Sequence, residues 1–267
     1  MHIGRSFFSL RYGTLSPEQL VSMASEVGLK RLALADINNV AGIPDFVKGC
    51  REAAIEPVAG VTVANGNQIL YTLLANHNEG FRQINEFLTS VNLTAASRRT
   101  ASADEGAVRR PDFPLQPPEL PDVTVLLPLS EKPPATLPPS CFIGVEPHQA
   151  GRWLGEAWRG LSGKMVAMQP VVFANGAGYE LHRHLRAIDN NTLLTKLEPS
   201  WLAHPTSVMT PPDALRRVFA RNPHWITLAD ALLEKCSFQL EFKKLKNKRV
   251  FSETPDADRA LLASLSH

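Results

Sequence analysis

The feature that most restricts this chain is the steady exchange of apolar strand-like runs with amphipathic helices over residues 3–91. Residues 3–10 open with a short apolar run that predicts a buried strand. Ser16 then stands before Pro17, with Gln19 three residues on, which is a capping box with proline in the first helical turn. Leu20, Val21, Met23 and Ala24 share one face of that helix, and Gly28 supplies its stop. A second strand, 31–36, ends in a carboxylate, and Asn38-Asn39 makes a polar turn before a second amphipathic helix at 43–54. A third strand is expected at 56–64. Asn65-Gly66 is a hairpin signal that favours positive φ at both central residues of the turn. A fourth strand at 68–75 and a helix through Phe81, Ile84, Phe87, Leu88 and Val91 follow. Strands alternating with helices argue for a largely parallel α/β core with one hairpin departure.

The pattern breaks where ten of the 21 prolines fall between Pro111 and Pro139, after a small, polar and charged stretch. Residues 94–120 read as a solvated insertion, since they have few backbone donors and little to bury. Strands resume at 123–127, 142–145 and 165–168, with helices at 149–158 and 179–188. Beyond Pro211-Pro212 the texture turns helical, at 213–220, 225–236 and 256–265. The last of these lacks a cap, which fits either a natural terminus that frays or a piece cut from a longer protein. At 267 residues, 44% hydrophobic and 20% charged, the chain has the composition of one large or two small globular domains. A net charge of +2 supplies no strong drive towards nucleic acid or an anionic membrane. Cys50, Cys141 and Cys236 are odd in number and far apart, which argues against a disulfide framework or a cysteine zinc site. With no spanning run or secretory leader, the expectation is a soluble cytoplasmic protein.

Ligands in α/β folds gather at the carboxyl ends of parallel strands. Those ends read Arg5-Ser6, Asp36-Ile37, Thr62-Val63 and Pro170 to Val172, where only Asp36 is an ionisable oxygen ligand. A polynuclear hydrolase site needs several His, Asp and Glu side chains converging there. His182 and His184 lie two apart on a helix and point to different faces, and His148 follows Glu146-Pro147 in a turn. His182 therefore reads as a hydrogen-bonded helix residue rather than a metal ligand. No nucleophile elbow, Walker-type loop or GxGxxG is present, and residues 174–178 read as a flexible turn. Lys243, Lys244, Lys246, Lys248 and Arg249 form the one concentrated basic run, either a phosphate contact or a solvated connector.

Taken in order, RSFFSLRYG at 5–13, the segment 16–42 ending ALADINNVAG, IEPVAGV at 55–61 and LLANHNEGF at 73–81 resemble the amino-terminal PHP domain of bacterial DNA polymerase III alpha subunits, closest to the Bacteroidetes kind. The likeness continues through LHRHLRAIDNNTLLTKL at 181–197, MTPPDALRRVF and LADALLEKCSF. It implies an α/β fold of PHP type, a distorted (β/α)7 barrel. The expected organisation is a PHP domain at 1–210, carrying the Pro-rich insertion at 94–139, and a helical extension at 211–267 leading towards a polymerase core.

Active members of the family hold a metal cluster at one barrel mouth and hydrolyse phosphoesters. Matched residue by residue, the first-strand histidine falls on Arg5 and the Asp-His pair on Asp36-Ile37. The Val-Glu carboxylate falls on Thr62, the histidine opening the fourth strand near Leu70, and the later Asn-Asp-x-His on 169–172, so that Pro170 and Val172 replace ligands. The resemblance therefore implies a degenerate metal site, no catalytic residue and no cofactor in this piece, with Mg expected in the palm of the parent polymerase. Arg5 and Asp36 are expected to pair across the mouth, the guanidinium standing in for a lost metal. The leading expectation is a non-catalytic scaffold contacting the rest of the alpha subunit and a proofreading exonuclease, reaching DNA through the parent protein and no membrane. The alternatives are a metal-dependent phosphoesterase or 3′–5′ exonuclease with substituted ligands, and a nucleic-acid-binding module using the basic run.

Overall fold

The computed structural model describes residues 1–101, 111–134, 136–151, 155, 158, 160–242 and 251–265. Its strands, in chain order, are β1 (His2–Gly4), β2 (Arg31–Ile37), β3 (Glu56–Asn65), β4 (Gln68–Ala75), β5 (Val123–Pro128), β6 (Cys141–Val145), β7 (Met165–Ala167) and β8 (Gln169–Val171). They form one sheet in the order β7-β6-β5-β4-β3-β2-β1-β8, parallel throughout except for β4, which runs against both neighbours. The two edge strands are separated in sequence by Met168 alone. One run of chain thus pairs with β6 through its first half and with β1 through its second. Met168 N donates to Val145 O at 2.9 Å and Gln169 N to Met1 O at 2.9 Å, which bends the sheet into a nearly closed barrel. Counting that shared run once leaves seven strand positions.

Helices α1 (Pro17–Glu26), α2 (Ile43–Glu52), α3 (Asn78–Ala101), α4 (Gly176–Asp189), α5 (Pro212–Val218), α6 (Pro223–Glu234) and α7 (Pro255–Leu265) complete the described fold. The alternation of side chains along β2 shows how the barrel is filled. Leu32 and Leu34 pack outward with Leu20, Phe46 and Val47 of α1 and α2, whereas Ala33 and Ala35 pack inward with Ile3, Val58, Leu74, Leu126 and Met168. Ala229, Leu232, Leu233 and Cys236 join this inner cluster, so α6 seals the amino-terminal end of the barrel. The carboxyl ends of the parallel strands are left as the open mouth.

The helix of 16–26 has the expected cap, with Ser16 Oγ accepting from Gln19 N and Gln19 Oε1 from Ser16 N. Several expectations change. The first apolar run is a strand only to Gly4. Residues 6–13 fold into tight turns because Ser6 and Ser9 bond to Asp36 instead of a neighbouring strand. In the hairpin the paired ends are Asn65 and Gln68, so Gly66 and Asn67 are central and only Gly66 has positive φ (57°). The segment 94–120 is not a wholly solvated insertion. Helix α3 runs on to Ala101, and Phe113 is buried against Phe87, with Asn65 bonding both its N–H and its carbonyl. Residues 174–178 are no free turn: Asn175 caps α4 by accepting from Gly178 N. Half of the expected helix at 149–158 falls outside the described residues, which show a 3-10 turn at Pro147–Gln149.

Candidate functional site at the barrel mouth

Where β1 ends, Arg5 continues the inward set of Ile3, and its side chain enters the mouth of the lumen. The residue is 3% exposed. Its Nε donates to Thr62 Oγ1 at 3.3 Å. Thr62 in turn lies 2.9 Å from Ala35 O and 3.2 Å from Thr72 Oγ1, its partner across the β3–β4 ladder, so two threonines on adjacent strands seat the guanidinium. Tyr12, on the loop after β1, lies beside Arg5 and stacks under Arg186, whose guanidinium carbon is 5.3 Å from its ring.

Asp36 belongs to the opposite parity of β2, that of Leu32 and Leu34, and turns to the outer side of the sheet under Gly42 at the start of α2. It accepts from Ser6 N at 2.6 Å, from Ser6 Oγ at 2.9 Å and from Ser9 Oγ at 2.8 Å, and is 1% exposed. Burial pushes its carboxyl above the usual range, against the serine hydrogen bonds and the charge of Arg5. The expected Arg5–Asp36 ion pair does not form. The physical reason is strand parity, which sends the two side chains to different faces of the sheet, and the serines satisfy the carboxylate without the arginine.

A cavity of about 870 Å³ fills the mouth, lined by Arg5, Tyr12, Ile69, Glu146, His148 and His204 among others. A smaller one of about 430 Å³ adjoins it and shares Tyr12, Asn67 and Ile69. Glu146 follows the end of β6. Burial raises its pKa, against the pull of Arg5 and His204. Its Oε2 lies 3.6 Å from His148 Nδ1. The His148 ring stacks on that of His204, centroids 4.0 Å apart and planes 9° from parallel. Burial lowers the pKa of both imidazoles, and their mutual repulsion lowers that of His204 further. His182 is fully buried beneath this wall. Its Nε2 accepts from Ala203 N at 2.9 Å, which assigns the proton to Nδ1, 2.7 Å from Tyr12 O. Burial holds it down to about 4, so it is a neutral structural histidine tying α4 to two mouth loops.

Of the positions matched to the family's ligands, Arg5 and Thr62 meet in the lumen. Val172 packs with Tyr12, Phe173 and Ala203, and Ile37 lies against that cluster. Pro170 pairs with Ile3 in the β1–β8 ladder. Leu70 does not face the mouth: a bulge between Val63 and Ala64 pairs Ala64 with Ile69, leaving Leu70 in the outer cluster under α3 and Ile69 in the cavity wall. Lys243, Lys244, Lys246, Lys248 and Arg249 lie outside the described residues. Glu146, His148, His204 and Tyr12 were missed as site residues. Glu146 is legible as the residue at the carboxyl end of β6; the approach of the 146–149 and 203–207 loops has no signature in one dimension.

The donors present do not fit the metal cluster that the resemblance implies. Among the described residues no three His, Cys, Asp or Glu side chains are placed to hold one ion. The site is instead occupied by a guanidinium, which is a permanent cation and repels a metal. Cys50, Cys141 and Cys236 are buried free thiols away from the mouth. No described helix is long and apolar enough to cross a membrane.

Comparison with known proteins agrees with the order of segments. The family model described as PHP domain matches residues 2–110. An error-prone DNA polymerase of Symbiobacterium thermophilum is 32% identical over 103 residues, 39% of this chain and 9% of that protein. A DNA polymerase III subunit alpha of Neisseria meningitidis is 30% identical over 89 residues, 31% of this chain and 8% of that protein. The matched segments thus span less than a tenth of each relative's length. Among solved structures, one from Bifidobacterium adolescentis described as a metal-dependent phosphoesterase aligns with a TM-score of 0.33 at 15% identity, covering 82% of this chain and 95% of that one. An amidohydrolase from Chromobacterium violaceum aligns with a TM-score of 0.27 at 18% identity, covering 40% and 38%.

Proposed function

We propose that this chain, which the PHP domain model matches over residues 2–110 and which is similar at modest identity, over part of its length, to polymerase III alpha subunits and error-prone polymerases, is the PHP region of a DNA-directed DNA polymerase of the alpha type, serving replication as a non-catalytic scaffold. The observation that carries the reading is the donor set at the mouth. Arg5, Thr62 and Val172, the residues matched by resemblance to imidazole and carboxylate ligands of metal-binding members, bring no such donor to the mouth, and Asp36 holds the 6–13 loop. Without ligands that can gather two or more ions, there is no activated water and no clamp for a phosphoester in flight. What the barrel offers is a rigid body with α6 as its floor, suited to packing against the remainder of the alpha subunit and a proofreading partner.

Two measurements test this. Protein purified without chelator should hold well under one equivalent of Zn, Mn or Fe, and should leave an aryl phosphodiester and a labelled single strand intact in added Mn. Stoichiometric metal with hydrolysis abolished by chelation establishes the substituted-ligand phosphoesterase instead. Separately, the complete polypeptide, and not this region alone, should extend a primer.

A further inference from the structure

Helix α4 is built inside out. Its buried residues are His182, Arg186 and Ala187, two of them polar, while large apolar side chains face solvent. The inward set is explained by what it holds. His182 ties Tyr12 O to Ala203 N, and Arg186 donates to Trp201 O at 3.0 Å and to Asp189 at 2.8 Å. The outward set has no such account within the described fold. Leu181, His184 and Ile188 recur at the i, i+3, i+7 spacing of one helix face, with Leu181 50% and Ile188 63% exposed. Leu193, 64% exposed, extends the stripe past the end of the helix. An amphipathic helix ordinarily turns such residues to the core, and a contiguous apolar stripe in water marks an interface.

The stripe carries both a knob and a hole. A shallow groove of about 950 Å³ runs between the second half of α4 and the 3-10 turn at Leu194–Lys196, lined by Ala187, Ile188, Leu193 and Leu194 among others. Leu181 stands outside it, seven residues before Ile188, or about 10 Å along the helix axis. Opposite charges flank the two features. Glu180, beside the knob, is 2.8 Å from Arg183 yet has its side chain 55% exposed. Lys196, on the groove wall, is exposed and has no side-chain partner among the described residues.

We propose that this face docks a second copy of the chain, α4 packing antiparallel on its own counterpart about a two-fold axis near His184. Under a two-fold axis residue i meets j and j meets i. The Leu181 of each copy then enters the groove of the other, and the Glu180 of each lies by the other's Lys196. Self-complementarity selects this occupant. The step that separates knob from hole on one helix is met, reversed, on an antiparallel partner, and the flanking charges are of opposite sign. Three large apolar side chains make a small anchor, near the floor of about 1,000 Å² for specific interfaces, so the dissociation constant lies above about 10 μM. The inference is independent of the scaffold reading, because a metal-loaded hydrolase carrying this helix would pair in the same way.

The test is sedimentation equilibrium of the 267-residue chain across a concentration series. The mass should rise from that of one chain, 29.3 kDa, at about 10 μM towards twice that value at about 1 mM. L181E and I188E should each weaken association at least tenfold. Both sites are exposed, so the melting temperature of the dilute variants should stay that of wild type. E180K and K196E should each weaken the dimer about threefold, as rim charges do, and the double reversal E180K/K196E should restore it. That restoration reads the antiparallel register, which a merely sticky surface would not reproduce. The proposal is overturned if the chain keeps the mass of one copy throughout, if neither L181E nor I188E weakens the dimer, or if the double reversal associates no better than the single ones. It is equally overturned if L181E and I188E leave the mass series unchanged but destabilise the complete polypeptide, which would make this face an internal contact of a longer chain.

Discussion

Acid should unfold this protein through His182, and the size of the effect follows from its surroundings. The ring is enclosed by Tyr12 (edge-on, centroid 4.8 Å), Phe173 (5.7 Å) and Tyr179 (6.4 Å), with Arg186 nearby as a like charge once it protonates. Its Nε2 already accepts from Ala203 N, so a second proton must displace that bond. The folded-state value of about 4 lies below the ordinary 6.5. Between those limits the unfolded chain binds more protons than the folded one, so stability falls as pH falls. Two and a half units amount to about 3 kcal/mol below pH 4, of which about 2 kcal/mol is already lost at pH 5. His2, also held to about 4 by burial, acts in the same window, so the wild-type curve alone does not isolate one residue. Chemical unfolding at pH 7 and pH 5 of wild type and H182Q does. The variant should be less stable at pH 7 by about 2–4 kcal/mol, from one lost hydrogen bond and imperfect packing, but should lose about 2 kcal/mol less on acidification. If both proteins lose the same amount, or if the His182 ring resonances titrate near 6.5, the inferred burial and tautomer are wrong.

Other perturbations follow from the same contacts. D36A should cost about 3–5 kcal/mol in denaturant unfolding, because it strands the Ser6 N–H and the Ser9 hydroxyl, whereas D36N, which keeps an acceptor, should cost markedly less. The raised folded pKa of Asp36 has the opposite linkage to His182. Its folded state holds the proton longer, so stability declines as pH rises from the usual carboxylate value to the raised one, and D36N should flatten that slope. G13A would bring a methyl group 1.9 Å from Ser6 O and should open the 6–13 loop, read as faster proteolysis there and a loss of more than about 2 kcal/mol. F113A should cost about 3 kcal/mol, and a value under about 0.5 kcal/mol would mean the Pro-rich segment is solvated after all.

Local chemistry made much of the architecture legible. The Ser16 capping box, the Leu20–Ala24 face, the apolar strand at 31–37 and the Asn65-Gly66 turn each act over a few residues, so spacing alone reveals them. The resemblance carried by the order of these segments implied the barrel. Its closure through the shared run about Met168 was beyond local reading, since β7 and β8 read as one strand and pair with β6 and β1 from far along the chain. The α6 floor was hidden for the same reason: a helical pattern does not say what its apolar face will meet.

The site divides in the same way. Resemblance implied that Arg5 and Thr62 fall at ligand positions of the family, and residue type alone says that neither side chain is a strong metal ligand. Tertiary structure decided whom each one meets. Strand parity turned Asp36 outward to Ser6 and Ser9, a single-residue bulge exchanged Leu70 for Ile69 in the cavity wall, and loop approach stacked His148 on His204. Alternation inverts a side chain's destination with each residue of register. The sequence could therefore say that Arg5 carries a charge, and only the fold could seat it on Thr62 and beside Tyr12 instead of on Asp36.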